Sequence, residues 1–236
     1  MEIIAHRGIH KNKSEENTIG AFNRAVLLKC EMLELDCRLT QDRELVVSHD
    51  PYFTLSDNTR VYIQQNTLKD LQNKVGAVIP LEFVLGIFTG AIKINVELKD
   101  KGCALVLCKL LEKFSAERNW SLKFMKKNLV VSSFVLEELV EFKSSYPYVG
   151  AGLLRDWGTQ GKFETKTAIY ESLKKYGFEA VHLSVARATK RTVKYFKNLG
   201  FKVRVYMVND LKTFKKYKER GVDGVFTDKV EEFLKA

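Results

Sequence analysis

The C-terminal half of the chain repeats one short pattern three times, and this repeat restricts the fold more than any other feature. In "KKYGFEAVHLS", "FKNLGFKVRVYM" and "YKERGVDGVFT", the end of a helix is followed by glycine, one or two connecting residues and a β-rich strand. The glycines, Gly177, Gly200 and Gly221, are 23 and 21 residues apart. Glycine provides the left-handed turn that ends a helix, and parallel strands need a crossover between them. The repeat therefore predicts a parallel α/β array.

Eight strand candidates follow when this pattern is extended along the chain. They are residues 2–6, 32–38, 92–98, 128–133, 149–154, 179–184, 202–208 and 223–227. Helical patterns lie between most of them, including "TAIYESLKKY" at 167–176. Eight such units in 236 residues indicate a (β/α)8 barrel of the TIM type, which typically has about 250 residues. A doubly wound open sheet is the alternative, but the glycine-rich phosphate turn that it usually carries after its first strand does not occur in the sequence.

The segment between the second and third barrel strands interrupts this regular alternation of strands and helices. It contains an extra β-like run, "ELVVSHD", and two helix-like runs, "TLKDLQNKV" and "PLEFVLGIF". The stretch "PYFTLSDNTRVYIQQN", which lies between the β-like run and the first helix-like run, has no helical pattern. Connections this long are usually functional or disordered. We interpret approximately residues 50–80 as an insertion over one end of the barrel, so that residues 1–236 are expected to form one barrel domain.

The overall composition excludes several classes of protein. The net charge is +10, from 39 Lys+Arg against 29 Asp+Glu, but the lysines alternate with apolar residues, as is typical of solvated helix faces. We therefore expect a positive field that attracts small anionic substrates, and no nucleic-acid partner. We expect neither a transmembrane segment nor a secretory signal, and therefore a cytoplasmic protein. Its four cysteines are expected to be reduced and partly buried; they are Cys30, Cys37, Cys103 and Cys108.

Polar side chains stand near the ends of three predicted strands, where barrel enzymes carry out their chemistry. Residues two apart in a strand share a face, so the polar residues within each strand project together. They are His6 and Arg7 after the first strand, Glu34 and Asp36 in the second, and Glu97 and Lys99 in the third.

Three of these residues could form a metal site. The carboxylates of Glu34, Asp36 and Glu97 would repel one another if they converged inside the barrel, and a hard divalent cation such as Mg²⁺ or Ca²⁺ removes that repulsion. Lys99 would either neutralise part of the charge or hold a substrate phosphate. A purely structural cluster of ion pairs is the alternative interpretation.

The histidines differ in what their positions indicate. His49 closes "ELVVSHD" and, together with His6, is a candidate for acid–base catalysis at neutral pH. His10 lies in a lysine-rich loop and is expected to be solvated. His182 could either face a site inside the barrel or simply fill the interior. Lys99 and Asp100 could alternatively form an exposed ion pair that contributes little energy.

Six fragments of the sequence, taken in order, resemble the glycerophosphodiester phosphodiesterase family. They are "AHRG", "EENTIGAF", "LELDCRLTQD", "LVVSHD", "INVELK" and "VYMVND...GVDGVFTD", and they extend from Ala5 to Asp228. Each fragment alone is a weak signal, whereas the ordered set is specific. The resemblance implies a barrel with a small insertion between its second and third strands, where this chain has its irregular segment.

The resemblance also implies roles for individual residues. Those roles are metal ligation for Glu34, Asp36 and Glu97, acid–base catalysis for His6 and His49, phosphate binding for Arg7 and Lys99, and a place in the first loop of the site for Glu16 and Asn17. Glu16 and Asn17 could alternatively serve only to start a helix. Tyr206 stands where family members often have tryptophan, which implies an aromatic wall with an added hydroxyl near the alcohol group.

The activity implied by the resemblance is metal-dependent hydrolysis of glycerophosphodiesters to glycerol 3-phosphate and an alcohol, within lipid and glycerol metabolism. In the family mechanism the substrate's own 2-hydroxyl attacks the phosphate, one histidine takes its proton, and the other protonates the leaving alcohol. Two alternatives stay open. One is a phospholipase D-like enzyme that acts on lysophospholipids through a peripheral membrane contact, and the other is a non-catalytic phosphate-binding barrel.

Overall fold

The computed structural model describes residues 1–155 and 173–236. The strands are β1 (Glu2–Ala5), β2 (Met32–Leu39), β3 (Leu45–Val47), β4 (Tyr52–Thr54), β5 (Arg60–Tyr62), β6 (Lys93–Leu98), β7 (Leu129–Ser133), β8 (Gly150–Arg155), β9 (Ala180–Ser184), β10 (Lys202–Tyr206) and β11 (Gly224–Thr227). The α-helices are Ile19–Leu27, Leu68–Val75, Leu81–Phe88, Cys103–Arg118, Leu122–Asn128, Leu136–Ser145, Lys190–Asn198, Leu211–Glu219 and Val230–Phe233. Of the helix predicted at 167–176, residues 167–172 lie outside the described residues, and residues 173–175 are helical.

Eight of the strands form a closed parallel barrel. The order of neighbours is β1-β11-β10-β9-β8-β7-β6-β2, and β1 also pairs in parallel with β2 through Ile4 and Met32. This last pairing closes the sheet on itself, so the predicted (β/α)8 barrel is confirmed and the open sheet is excluded. Each of the eight predicted strands agrees with the observed one to within two residues at either end.

Local sequence signals explain where the helices begin and end. Thr18 and Thr189 precede helices, and the hydroxyl of each accepts a hydrogen bond from the backbone N–H three residues later. This arrangement satisfies one of the free N–H groups at a helix start. After the helices, Gly200 and Gly221 have φ angles of 87° and 72°, a left-handed conformation in which a side chain would be strained. The repeated glycines of the sequence are therefore helix terminators, as predicted.

The side chains that point into the barrel are a mixture of apolar and charged groups. Ile4, Met32, Val130 and Phe226 form a small cluster that is separate from the main core between strands and helices. Lower in the barrel His182 is completely buried, and its Nε2 lies 3.4 Å from the Arg204 guanidinium. The other face of each strand packs against the helices, so the barrel interior is filled and only its mouth is open to chemistry.

His182 is a packing residue rather than a site residue. A Cβ atom added at Gly152, on the neighbouring strand β8, would lie 2.3 Å from its Nε2 atom, so the imidazole occupies the space that a side chain would take there. Burial, and then the charge of Arg204, lower the pKa of His182 well below its usual value. The ring is therefore a neutral filler of the barrel interior.

The segment between β2 and β6, which contains the insertion predicted at approximately residues 50–80, begins at the edge of β2. Strand β3 runs antiparallel to β2, and the helices Leu68–Val75 and Leu81–Phe88 follow where helical patterns were expected. The stretch 51–66 contains a two-stranded hairpin, β4–β5, and a short 3₁₀ turn, which the sequence pattern did not predict. These strands are only three residues long, too short for apolar alternation to be recognised. A small core of its own holds the insertion together; it consists of Val46, Val61, Ile63, Leu71 and Val78.

Two further features agree with the composition. All four cysteines are free and buried. Within residues 1–155 and 173–236, no helix is both long and apolar enough to cross a lipid bilayer.

Candidate active site

Three carboxylates meet at the mouth of the barrel, at the C-terminal ends of two neighbouring strands. Glu34 and Asp36 come from β2 and Glu97 from β6, and the strand register places Asp36 directly beside Glu97. Each residue offers an oxygen, and the three oxygens lie within 4.8 Å of one another. The side chains are almost inaccessible: Glu34 is 2% exposed, Asp36 1% and Glu97 9%. The structure thus brings together the three residues that the sequence singled out as metal ligands.

Burial and mutual repulsion change how these acids hold protons. Burial, followed by the charge of Asp36, raises the pKa of Glu34 to about 8, and the same two causes raise the pKa of Glu97. Burial alone would also raise the pKa of Asp36, but the charges of Lys99 and Arg7 outweigh it, so this pKa is lowered. Without a cation, negative charge is therefore favoured at Asp36 and disfavoured at Glu34 and Glu97.

The oxygens of the cluster suit a hard cation. Oε2 of Glu34 accepts a hydrogen bond of 2.9 Å from the Arg7 backbone N–H. Oε1 of Glu34 is buried and has no hydrogen-bond partner in the part of the chain that the structure describes. A buried, unpartnered carboxylate oxygen is costly unless an ion or water binds it. The all-oxygen donor set matches the ligands that Mg²⁺ and Ca²⁺ prefer.

Positive side chains flank the carboxylates. Nε of Arg7 lies 3.0 Å from Oδ2 of Asp36, and Nζ of Lys99 lies 3.4 Å from Oδ1 of the same residue. Lys99 also donates a 2.7 Å hydrogen bond to Oε1 of Glu97. The predicted phosphate-binding residues are therefore both at the carboxylate cluster, where their charges would also attract an anionic substrate.

The loop after β1 owes its shape to a glycine. Gly8 has a φ angle of 83°, and a Cβ atom there would lie 2.6 Å from the Cβ of Ala21. The loop can therefore pack closely on the helix Ile19–Leu27 only with glycine at this position. Arg7, just before it, has a φ angle of 53°, which turns its backbone N–H towards Glu34. The sequence His-Arg-Gly thus encodes a tight turn at the barrel mouth.

Glu16 and Asn17 contribute to the site in addition to preceding a helix. Oε2 of Glu16 accepts a 2.6 Å hydrogen bond from Nη1 of Arg7. Nδ2 of Asn17 donates a 2.9 Å hydrogen bond to Oδ2 of Asp36. The helix itself is capped by Thr18. The interpretation of these two residues as a helix start alone is therefore insufficient, since Asn17 contacts Asp36 of the cluster and Glu16 contacts Arg7 beside it.

His6 is held by a carboxylate from the far end of the chain. Its Nδ1 lies 2.8 Å from Oδ1 of Asp228, which follows β11, and β11 pairs with β1 in the closed barrel. Burial would lower the pKa of His6, but the hydrogen bond to Asp228 and the charge of Glu34 outweigh it and raise the pKa above 6.5. Asn209 fixes the carboxylate by donating a 2.8 Å hydrogen bond to its other oxygen.

Sequence reasoning did not assign a role to Asp228 or Asn209. Both lie in "VYMVND...GVDGVFTD", a fragment that carried the family resemblance. The missing signal was topological: in a closed barrel the last strand lies beside the first, so an acid directly after the last strand can reach His6.

His49 lies at the same mouth but is more accessible. Its Nδ1 lies 2.7 Å from Oδ1 of Asp50, and its side chain is 39% exposed. Burial, with the charges of Lys99 and Arg7, outweighs the charge of Asp36 and lowers the pKa of His49. The pKa values of the two predicted acid–base residues are therefore shifted in opposite directions, with proton binding favoured at His6 and disfavoured at His49.

The alternative in which Lys99 and Asp100 form an exposed ion pair is excluded, because Lys99 pairs with Asp36 and Glu97 instead. Asp100 is 9% exposed, its Oδ1 pairs with Nη1 of Arg38 at 2.5 Å, and its Oδ2 accepts the backbone N–H of Leu39. Nε of the same Arg38 donates a 2.8 Å hydrogen bond to the backbone carbonyl of His49. Asp100 is drawn inwards because it lies two residues after the end of β6, beside the end of β2, and the pair holds the His49 loop in place.

The expectation that His10 is solvated is also wrong. Its side chain is only 6% exposed, and its Nε2 lies 3.5 Å from Oδ1 of Asp228. The loop folds back because Arg24, on the following helix, donates a 2.6 Å hydrogen bond to the carbonyl of Ile9. A lysine-rich sequence suggests exposure, but the neighbouring turn places this histidine against the barrel mouth.

Tyr206 ends β10 at the same rim. Its ring packs edge-on against Phe134, with 6.0 Å between the ring centroids. The structure therefore places an aromatic surface at the mouth of the barrel, where the sequence predicted an aromatic wall.

Comparisons with known proteins agree with this geometry. Residues 6–232 match a model of the glycerophosphoryl diester phosphodiesterase family. A glycerophosphodiester phosphodiesterase of Bacillus altitudinis is 29% identical over 245 residues, which cover 96% of this chain and 94% of that protein.

Solved structures share the fold over their whole length. The crystal structure of a glycerophosphodiester phosphodiesterase from Thermotoga maritima has a TM-score of 0.78 and 27% identity, covering 99% of this chain and 96% of the other. An Oleispira antarctica phosphodiesterase, determined in complex with the product sn-glycerol-3-phosphate, has a TM-score of 0.80 and 22% identity, covering 100% and 97%. At 22% identity, the similarity to the Oleispira phosphodiesterase supports only a shared fold.

Proposed function

The chain belongs to the glycerophosphoryl diester phosphodiesterase family, and we propose that residues 1–236 act as one phosphodiesterase barrel that hydrolyses glycerophosphodiesters to glycerol 3-phosphate and an alcohol. The observation that carries the proposal is the buried cluster of Glu34, Asp36 and Glu97, which lies at the same barrel mouth as two histidines with opposite pKa shifts. A binding protein would need no such pair. We propose a small-molecule substrate on the same ground; the Oleispira phosphodiesterase, which shares the fold, was determined with sn-glycerol-3-phosphate.

A divalent cation, Mg²⁺ or Ca²⁺, would be held by Glu34, Asp36 and Glu97. The donor set fits because all three ligands are oxygens, and because the buried Oε1 of Glu34 has no other partner among the described residues. When bound, such an ion polarises a phosphate oxygen and lowers the pKa of a neighbouring hydroxyl.

Arg7 and Lys99 would bind the phosphate group. Both carry a fixed positive charge within 3.4 Å of Asp36, and both keep donors for an incoming anion. Glu16 holds the Arg7 guanidinium through Nη1, and Asn17 holds the Asp36 carboxylate, so the charged groups are oriented before substrate arrives. Tyr206 would contact the alcohol group through its ring.

The two histidines would divide the proton transfers according to their pKa values. His49, with its lowered pKa, is neutral and would accept the proton of the substrate's 2-hydroxyl at Nε2 as that oxygen attacks phosphorus. His6, with its raised pKa, would donate a proton from Nε2 to the leaving alcohol oxygen, whose bond to phosphorus breaks. In each case Nδ1 is engaged by an aspartate, which leaves Nε2 for the substrate. The roles reverse when water opens the cyclic phosphate.

The proposed setting is the cytoplasm, in lipid and glycerol metabolism. The test is a panel of glycerophosphodiesters, incubated with purified protein in Mg²⁺, Ca²⁺ or Mn²⁺ and analysed for products. We expect glycerol 3-phosphate and free alcohol from soluble glycerophosphocholine. Greater alcohol release from lysolipid vesicles would favour the phospholipase D-like alternative. Tight binding of glycerol phosphate without any turnover would overturn the proposal in favour of a non-catalytic barrel.

A further inference from the structure

A second group of side chains of the types that ligate metals lies at the barrel mouth, separate from the three carboxylates. His6, His10 and Asp228 each offer one ligand atom, and these atoms all lie within 4.8 Å of one another. The nitrogens of both histidines converge on the same oxygen, Oδ1 of Asp228, at 2.8 Å and 3.5 Å. Two imidazoles and a carboxylate that converge on one point could provide three ligands for a metal ion and leave its fourth coordination position open to water.

Burial and hydrogen bonding indicate that this group is a built site. The His10 side chain is 6% exposed, and its buried Nε2, which is directed at Asp228, makes no hydrogen bond to any residue that the structure describes. The other oxygen of Asp228 accepts a 2.8 Å hydrogen bond from Asn209, whose own carbonyl oxygen accepts the Asp228 backbone N–H. Metal-binding carboxylates are typically oriented in this way by a hydrogen bond to the oxygen that faces away from the ion.

The ligand types select a different ion from that of the carboxylate cluster. Imidazole nitrogens favour Zn²⁺ and similar transition-metal ions, whereas Mg²⁺ and Ca²⁺ prefer oxygen. A tetrahedral zinc ion with bonds of about 2.1 Å separates its ligand atoms by about 3.4 Å. The spacings of 2.8 Å and 3.5 Å around Asp228 are close to that value, and all three ligand atoms lie within 4.8 Å of one another.

We propose that His6, His10 and Asp228 form a binding site for Zn²⁺ or a similar transition-metal ion, and that an ion bound there inhibits the enzyme. A zinc ion at this position would release the proton between His6 Nδ1 and Asp228 to water and would replace their hydrogen bond with two metal bonds. His6 then no longer holds a proton in the orientation set by Asp228. Binding of zinc is independent of the proposed function, whereas the inhibitory consequence rests on it.

The direct test is Zn²⁺ titration of the full chain, stripped of metals and then saturated with Mg²⁺ to occupy the carboxylate cluster. Calorimetry should show one further Zn²⁺ equivalent, and Co²⁺ in its place should give the visible absorption of a nitrogen-ligated, tetrahedral ion. His10→Ala should weaken Zn²⁺ binding about tenfold or more, since even residues that only support a ligand change metal affinity by that factor. His49→Ala, which removes a more exposed histidine from the same rim, should bind Zn²⁺ like the wild type.

Several results would overturn the assignment. The assignment is wrong if Zn²⁺ does not bind in the presence of Mg²⁺, if the wild type and His10→Ala bind it equally, or if His49→Ala loses binding. If His10→Ala fails to fold, as judged by circular dichroism, His10→Gln and Asp228→Asn provide the same comparison.

Inhibition by Zn²⁺ is measured in a separate assay of turnover. Zn²⁺ should inhibit glycerophosphocholine hydrolysis by the wild type over the concentration range in which the site fills. His10→Ala should retain its turnover without Zn²⁺ and require about tenfold more Zn²⁺ for inhibition. Equal inhibition of both proteins would mean that Zn²⁺ acts at the carboxylates and would refute the regulatory role. If the protein hydrolyses no glycerophosphodiester, the titration still decides whether the zinc site exists.

Discussion

Nδ1 of His6 lies 2.8 Å from Oδ1 of Asp228, although the two residues are 222 positions apart in the chain. The contact exists because β11 pairs with β1 and closes the barrel, with Thr227 beside Ala5. Such a pair fixes the tautomer and orientation of an imidazole and favours its protonated form. Asp228 is therefore a positioning residue for the proposed general acid.

Replacement of Asp228 should change the pH dependence of the reaction. In Asp228→Asn the carboxylate that raises the pKa of His6 is gone, so this pKa should fall. Activity is lost on the alkaline side of the pH–rate profile as His6 deprotonates, and this side of the profile should then move to lower pH. We also expect kcat to fall by about tenfold or more, with a smaller change in KM. The measurement is kcat and kcat/KM against pH for both proteins. An unmoved profile would show that Asp228 does not act through His6.

Removal of either histidine of the proposed pair should reduce turnover strongly. His6→Ala and His49→Ala should each lower kcat by about 10²–10⁴, since each would remove one proton-transfer group. His10→Ala, assayed without Zn²⁺, is the matched control at the same rim and should keep its turnover. A loss of only a few-fold in either catalytic variant would assign that histidine a structural role.

The metal-free protein should become less stable as the pH rises. The pKa of Glu34 is about 8 in the folded state, well above its value of 4.5 in the unfolded chain. Between these two values the folded state binds the extra proton, so the free energy of unfolding decreases with rising pH. His6, whose pKa is also raised, contributes in the same direction.

Glu34→Gln provides the comparison for this effect. Glutamine cannot titrate, so the thermal midpoint of the metal-free variant should fall less between about pH 5 and 8 than that of the wild type. A divalent cation should stabilise the wild type more at pH 8 than at pH 6, because binding displaces the proton from Glu34. Parallel pH dependence of the two metal-free proteins in thermal unfolding would contradict the raised pKa.

The pair of Arg38 and Asp100 should be important for stability. Asp100→Ala would leave the Arg38 guanidinium without its buried partner and should lower the free energy of unfolding by about 3–5 kcal/mol. The double variant Arg38→Met, Asp100→Leu should recover part of this loss because no unpaired charge remains. Denaturant unfolding measures both. If Asp100→Ala is as stable as the wild type, the pair does not anchor the end of β2 and the His49 loop.

The fold could be predicted because its signals are local and repeated. The glycines after the C-terminal helices and the apolar strands that follow them recur at a nearly constant spacing, which predicts a barrel before any long-range contact is known. The carboxylates of Glu34 and Asp36 could likewise be paired from the two-residue period of a strand. The hairpin β4–β5 could not be predicted, since its three-residue strands carry too few alternating positions.

The parts of the site that the sequence did not reveal depend on contacts between distant segments. Asp228 reaches His6 only because the barrel closes, and Asp100 is buried only because β6 ends beside β2. His10 was expected to be solvated from its lysine-rich surroundings, yet the hydrogen bond from Arg24 to the carbonyl of Ile9 turns it inwards. Opposite pKa shifts of the two catalytic candidates also arise from neighbours that are far away in the chain.

The central claim is that Glu34, Asp36 and Glu97 share one divalent cation on which hydrolysis depends. The most direct measurement is a titration of the chelator-treated protein with Mg²⁺, Ca²⁺ or Mn²⁺, in which binding and glycerophosphocholine turnover are recorded on the same samples. We predict that turnover is absent without metal, rises in proportion to one bound ion, and is lost or requires far more metal in Glu34→Ala and Glu97→Ala. Unchanged turnover in the presence of chelator, or unchanged metal dependence in both variants, would contradict the account.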